Sequence, residues 1–424
     1  AMALFAQEML ERDQRERGEI TTDDLIQSPD DIVPWLPNSL SKFLPAWRAI
    51  TTSAFILSII SLGYRIEWND TTKSKTELKG PAPPCDLPNN RNCFEPENEK
   101  FLNEAISTAG KMGAVQRFTG DPSQCCIHPL NVDLRKKNGK RRMIYDCRHG
   151  NAYMQKHKFK FETLHREGRS VFDGCEYGAL IDLSFAYYHI PVHPSCYKYL
   201  VFRWYDLDAA PNADGSRPMT LYCYTVLPFG IRTAPRIFSM VLKPIVQHWR
   251  NTLGMRLLQY LDDLTLGHPV RSVLKRHALF AIWHLQKLGW IIQSKKCIGI
   301  DTPLTCIEAL GTDIDLRVQD FRACPSRIDQ IVDMCHQLLR DGRCSARTLS
   351  TLAGVIMSQF CSFGSAARIR TRSMYANINL RKRPGENDRD SRSWDRTITL
   401  SPEALAELRW WIQNIHTTNG QPIR

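Results

Sequence analysis

The chain has 424 residues, 43% of them hydrophobic, 14 cysteines and a formal net charge of +12. That length supports two to four subdomains with real cores. The cysteines follow no regular framework, which excludes a disulfide-stapled secreted scaffold and suits free thiols in a reducing interior. The longest apolar run, Ala54–Leu62, is too short to span a bilayer, so no membrane segment is expected.

The positive charge is concentrated. Residues 128–160 carry ten Lys/Arg against two Asp, and residues 364–396 carry nine against four acids. Two such stretches on an otherwise balanced chain point to a polyanion, either nucleic acid or nucleotide phosphates.

Residues 1–45 are polar and punctuated by proline, and read as an arm or lead-in. Helical text follows to Tyr64, then a Pro-, Asn- and Lys-rich loop over 71–96 and a helix over 97–113. Cys85, Cys93, Cys125, Cys126 and His128 match no common zinc-ligand spacing, so no metal is expected there. From His128 the texture changes to short strands. Residues 130–134 and 142–146 flank Asn138-Gly139, a strong hairpin turn signal, with Lys and Arg crowding the tip.

Residues 179–183 form a strand with Asp182 inside an apolar run. Strands over 199–204 and 219–226 are joined by a polar Asp/Pro/Gly loop. A helix starts at Ala234 with Pro235 in its first turn. Ile237, Phe238, Val241, Leu242, Ile245, Val246 and Trp249 make one apolar face, and Pro244 predicts a kink. Next comes an apolar run broken by Asp262 and Asp263, which reads as a hairpin tip. Residues 270–288 form an amphipathic helix closed by Gly289. Ser326, Ser345 and Ser401 are placed to cap three further helices, the second running through Phe360.

Carboxylates are costly to bury unpaired. Asp182 on one strand and the Asp262-Asp263 pair on another hairpin would repel strongly if they met, unless divalent cations lay between them. Two metal ions about 3.5–4 Å apart clamp the attacking and leaving oxygens of a phosphoryl transfer. Mg²⁺ suits such a site, because it takes one or two carboxylates plus substrate phosphates. The basic hairpin would hold a triphosphate. The residues alone therefore point to a nucleotidyl transferase.

Six motifs carry a resemblance. Asp182-Leu-Ser-Phe-Ala-Tyr-Tyr-His-Ile-Pro191 resembles polymerase motif A of reverse transcriptases. Leu227-Pro-Phe-Gly-Ile-Arg-Thr-Ala-Pro-Arg-Ile-Phe238 resembles motif B, and Tyr260-Leu-Asp-Asp263 motif C. Leu288-Gly-Trp-Ile-Ile-Gln-Ser-Lys-Lys-Cys297 is similar to motif D, and Glu308-Ala-Leu-Gly311 to the primer grip. Arg141-Arg-Met-Ile-Tyr-Asp-Cys-Arg-His-Gly-Asn151 is similar to the fingers motif. The flanks, including Trp47-Arg-Ala-Ile-Thr51, Leu352-Ala-Gly-Val355 and Ala367-Arg-Ile-Arg-Thr-Arg372, resemble the DIRS-like, tyrosine-recombinase retrotransposons. The wider family is that of LTR-retrotransposon and pararetroviral reverse transcriptases.

The resemblance implies an α+β right-hand polymerase with an antiparallel palm sheet and a helical thumb. It implies fingers over 46–178, palm over 179–312, thumb over 313–385 and the start of a connection region over 386–424. The activity implied is RNA-directed DNA polymerisation from dNTPs on an RNA or DNA template, with a DNA primer or RNA–DNA hybrid as partner. Two Mg²⁺ ions, replaceable by Mn²⁺, are the implied cofactors. Asp182, Asp262 and Asp263 would be the catalytic metal ligands, with the Leu183 carbonyl beside them. Arg142, with Lys136 or Lys137, would contact the triphosphate.

Tyr187 takes the steric-gate position, where an aromatic ring crowds a ribose 2′-OH, and Phe229 and Gly230 line the nucleotide. Lys296, or else Lys295, would protonate pyrophosphate. Leu310 and Gly311 belong to the primer grip. Two departures from retroviral relatives stand out: Phe229 replaces a common Gln, and Phe185 an often acidic residue.

The tail reads as text preceding an RNase H strand, so RNase H and a tyrosine recombinase are expected elsewhere in a longer polyprotein. An intracellular location is expected, cytoplasmic or nuclear and in some settings inside a retroelement particle. The rival readings are an RNA-dependent RNA polymerase, against which Tyr187 speaks, and a catalytically silent nucleic-acid-binding scaffold, which loss of any of the three Asp would have favoured.

Overall fold

The computed structural model describes residues 36–70, 78–134, 139–381 and 391–423. The first strands are β1 (Cys85–Asp86), β2 (Val115–Arg117), β3 (Cys126–His128), β4 (Leu130–Leu134) and β5 (Arg141–Tyr145). Then come β6 (Tyr177–Asp182), β7 (Val201–Tyr205) and β8 (Met219–Tyr224). β1, β3, β7, β8 and β2 form a five-stranded sheet in that order, and β4 and β5 form a separate hairpin. Within the sheet β1, β3 and β7 run parallel, while β8 pairs antiparallel with both β7 and β2.

β9 (Arg256–Tyr260) and β10 (Asp263–His268) complete a second, antiparallel sheet of order β6-β10-β9. Its strands follow the period of two. Ala179, Ile181, Leu257, Leu264 and Leu266 join the core formed with the helices Ala234–Leu253 and Arg271–Lys287. Leu180 and Leu258 face the other way, toward Phe172, Ile307 and Ile314. Burial on both faces explains why these strands are nearly continuous apolar runs, and why the carboxylates sit at their ends.

A third sheet follows: β11 (Cys306–Ala309), β12 (Thr312–Asp315) and β13 (Asp320–Ala323), joined at its edge by a short strand at Gln421–Pro422. The helices Pro325–Asp341, Ala346–Ser358, Arg372–Asn379 and Pro402–Thr418 enclose a separate core that includes Ile331, Leu338, Leu352, Met374, Trp411 and Ile415. The last of these helices, expected to open a connection region, thus shares the core of the preceding three.

Local differences have local causes. Cys324, not Ser326, is the N-cap of the first C-terminal helix, because Pro325 already supplies helical φ at the first position. The Ser345-capped helix ends at Ser358 rather than Phe360, and a separate turn, Phe360–Phe363, follows. Ser345 and Ser401 do cap, accepting from Thr348 N and Ala404 N. The helix Ala234–Leu253 continues through Pro244 and ends at Gly254 in the left-handed region.

Candidate active site

The register of the second sheet assembles the acidic residues. Asp263 is the partner of Asp182 across β10 and β6, and of Tyr260 across β10 and β9. Leu261 and Asp262 are therefore a two-residue turn, with Leu261 at φ 53°. A left-handed φ at a leucine costs about 1–3 kcal/mol and needs support from its surroundings. Tyr260 and Leu261 both pack against buried clusters beneath the turn. The Leu183 amide donates to the Asp262 carbonyl at 3.2 Å, tying the turn to the end of β6.

Asp182 is only 5% exposed. Lys296 Nζ lies 3.2 and 3.4 Å from its two carboxylate oxygens. Burial pushes the Asp182 carboxyl up, and Lys296 opposes that shift. Burial, then the charges of Asp262 and Asp182, push Asp263 up to about 6. A folded chain that keeps a proton on this cluster at mildly acid pH is one in which three carboxylates are crowded beyond what one lysine offsets. Such a donor set fits hard divalent cations.

Motif A turns sharply after β6: Phe185 and Ala186 have φ of 59° and 31°. His189 secures that turn. Its Nδ1 lies 3.2 Å from the Ala186 carbonyl, and its Nε2 accepts from Ile291 N at 3.1 Å. Burial holds its pKa down at about 4, so the ring is neutral and can accept. Tyr187 is buried, with its ring 4.8 Å from Phe229 and 5.5 Å from Phe238. Burial and then the Asp262 charge push its phenol up to about 12.

Phe229 is 52% exposed at the tip of the motif B loop. Gly230, at φ +111°, lies so close to β5 that a Cβ there would come 2.2 Å from the Tyr145 carbonyl. The Asn151 side chain donates to the Gly230 carbonyl at 2.8 Å and accepts from Arg232 N at 2.7 Å. Arg142, exposed on β5, lines a cleft of about 740 Å³ together with Phe185, Tyr188, Phe229 and Asp262. Lys136 and Lys137 lie outside the described residues.

Leu310 and Gly311 form the tight turn between β11 and β12, at φ 55° and 74°. Two consecutive positive φ values are what a two-residue hairpin loop of the right twist demands. Leu310 packs against the same cluster as Tyr260, so this turn and the Asp262 turn rest on one core.

Asp182 thus meets Asp263 and Lys296, while Asp262 acts on both carboxylates through its charge and lines the cleft with Arg142 and Phe229. Sequence reasoning did not single out Asn151 or His189. Both lie inside quoted motifs, but their bonds reach 79 and 102 residues along the chain. Local spacing carries no trace of such bonds.

The fold is that of a right-hand polymerase. The chain is similar to the foamy viral protease–reverse transcriptase in complex with RNA/DNA hybrid, with a TM-score of 0.58 at 16% identity, covering 90% of this chain and 44% of that one. A second structure of that protein, in complex with double-stranded DNA, gives 0.57 at 15% identity, with 89% and 60% covered. Residues 134–313 match the family described as "Reverse transcriptase (RNA-dependent DNA polymerase)".

The Gag-Pro-Pol polyprotein of Human T-cell leukemia virus 2 is 27% identical over 208 residues, which is 47% of this chain and 13% of the polyprotein. That of Mouse mammary tumor virus (strain BR6) is 25% identical over 208 residues, 47% and 11%. The chain therefore spans about an eighth of the length of the curated relatives it matches. Over residues 134–313 the chain is thus similar to reverse transcriptase domains, and the relatives it matches are retroviral Pol polyproteins. Among the described residues no helix is long and apolar enough to cross a membrane.

Proposed function

We propose that the chain is an RNA-directed DNA polymerase of a retroelement, extending a primer with dNTPs on RNA or DNA templates. The observation that carries this reading is the cross-strand pairing of Asp182 with Asp263, with Asp262 on the adjoining turn lining one cleft together with an arginine and an aromatic ring. Mg²⁺, in two ions with Mn²⁺ as substitute, would supply charge neutralisation at the transferring phosphate when bound. Asp182, Asp262 and Asp263 would hold it, with the Leu183 carbonyl beside them.

Arg142 binds the triphosphate of the incoming nucleotide, with Lys136 or Lys137 beside it. Tyr187, wedged between Phe229 and Phe238, presents a rigid edge where a ribose 2′-OH would lie. Lys296 is 64% exposed while paired to Asp182. It offsets that charge in the free protein and is free to swing toward the leaving pyrophosphate, to which it gives a proton. Catalysis is then mainly positioning and charge stabilisation. Leu310 and Gly311 support the primer terminus from below.

The DIRS-like assignment rests on the flanking motif text. With it go a tyrosine recombinase and RNase H elsewhere in the polyprotein, and an intracellular site of action. Primer extension on defined RNA and DNA templates tests the reading. Metal-dependent incorporation of dNTPs is expected, abolished by Asp262→Asn. Equal extension by wild type and variant would sink the metal-site proposal, and equal use of ribonucleotides would sink the role of Tyr187.

A further inference from the structure

Away from the cleft, soft donors converge at the edge of the first sheet. Cys85 on β1 and Cys126 on β3 are partners in parallel register. His149, on the short helix Arg148–Tyr153, brings a ring nitrogen to them, and the three donor atoms lie within 4.8 Å of one another. Among the described residues no other group of three or more His, Cys, Asp or Glu has donors converging this closely.

The three come from segments 41 and 23 residues apart. That is why the spacing of Cys85, Cys93, Cys125, Cys126 and His128 suggested no metal. The structure selects two of those cysteines and adds a histidine outside the set.

The chemistry of the donors chooses the ligand. Two sulfurs and one imidazole suit a borderline-soft cation, above all zinc. Zinc–ligand bonds of about 2.0–2.3 Å place donors about 3.5 Å apart, a contraction of about 1 Å that side-chain rotation can supply. His149 Nε2 lies 3.1 Å from the Pro83 carbonyl. That contact fixes the orientation of the ring beside Cys126, whose thiol reaches the same carbonyl, as outer partners fix metal-bound histidines. The thiols otherwise make only weak bonds: Cys126 to the Pro83 and Ala82 carbonyls at 3.2 and 3.8 Å, Cys85 to the Ile127 carbonyl at 3.8 Å, and one between the two thiols. Cys126 is buried, while Cys85 and His149 are partly exposed, so solvent reaches the fourth position.

We propose that Cys85, Cys126 and His149 bind one zinc ion, with water completing the tetrahedron. Binding releases the two thiol protons and forms two zinc–sulfur bonds and one zinc–nitrogen bond, with no redox change. The ion ties three segments together: β1, β3 and the helix that follows β5. That helix also carries Asn151, the clamp on Gly230 and Arg232. Bound zinc thereby braces the nucleotide-facing loop from behind.

The test is metal analysis of the whole chain, followed by titration of chelator-treated protein with Zn²⁺ and with Co²⁺. About one zinc per chain is expected, with thiolate-to-cobalt charge-transfer absorption on substitution. Cys85→Ser and His149→Gln, both at partly exposed positions, should each lower zinc affinity at least 10-fold and lose the cobalt band. Cys361→Ser and Asp262→Asn should keep both. Zinc removal should lower the melting temperature of wild type and not of Cys85→Ser. A wild type that takes up no zinc on titration overturns the proposal. So does uptake unchanged in Cys85→Ser and His149→Gln, or a Cys85–Cys126 disulfide in the protein as isolated. These metal readouts do not depend on polymerase activity.

Discussion

Replacing Asp263 by Asn should stabilise the metal-free protein, which is unusual for a residue placed in a functional site. In the folded chain the Asp263 carboxyl is pushed up to about 6, first by burial and then by Asp262 and Asp182. An unfolded chain returns it to the ordinary carboxylate value near 4. The folded state thus binds this proton more tightly than the unfolded state. Stability falls as pH rises from about 4 to about 6, and is level above that. Two pH units correspond to about 3 kcal/mol. Asp263 is partly exposed, and solvent screening reduces this to about 1–2 kcal/mol.

Asp263→Asn removes the charge while keeping hydrogen-bonding capacity. In EDTA at pH 8 the variant should therefore be more stable by that amount, with the gap closing toward pH 4. Urea denaturation at pH 8, 6 and 4 measures it. Mg²⁺ should stabilise wild type more than the variant, because the repulsion it offsets is smaller in the variant. A variant less stable than wild type at pH 8, or a gap that widens toward acid, would refute the reasoning.

Gly230→Ala should cost about 2–4 kcal/mol, since its Cβ meets the Tyr145 carbonyl at a φ unfavourable for alanine; chemical denaturation reads this directly. Asn151→Ala removes two bonds to the motif B loop and should cost about 1–2 kcal/mol, with KM for dNTP rising more than kcat falls. Tyr187→Ala should raise ribonucleotide use relative to dNTP by on the order of 10- to 100-fold in competitive extension. It should also lower stability by about 3 kcal/mol through the cavity left against Phe238, whereas Tyr187→Phe should keep selectivity. Lys296→Leu should reduce kcat by about 100-fold, while the same change at Lys295 should leave kcat nearly unchanged.

Much of this protein is legible along the chain. Apolar runs ending in Asp182 and flanking Asp262-Asp263 predict strands, because a side-chain period of two and a two-residue loop are local properties. Pro235, Gly289, Ser345 and Ser401 mark helix ends for the same reason: the groups they satisfy lie within one turn. What pairs with what is not local. Asp182 and Asp263 face each other because Ala179, Ile181, Leu264 and Leu266 must share one core, and a slip of one residue would turn them all outward.

Adjacent Lys295 and Lys296 look alike in sequence, yet the turn at Ser294–Lys296 directs Lys296 to Asp182. Asn151 reaches Gly230, and His149 reaches two cysteines, only once the β5 hairpin has packed on the first sheet. The sequence by itself therefore determined which elements form and which chemistry they carry. Tertiary structure decided which donors meet, because cross-strand register and inter-segment distance arise from packing over tens to hundreds of residues.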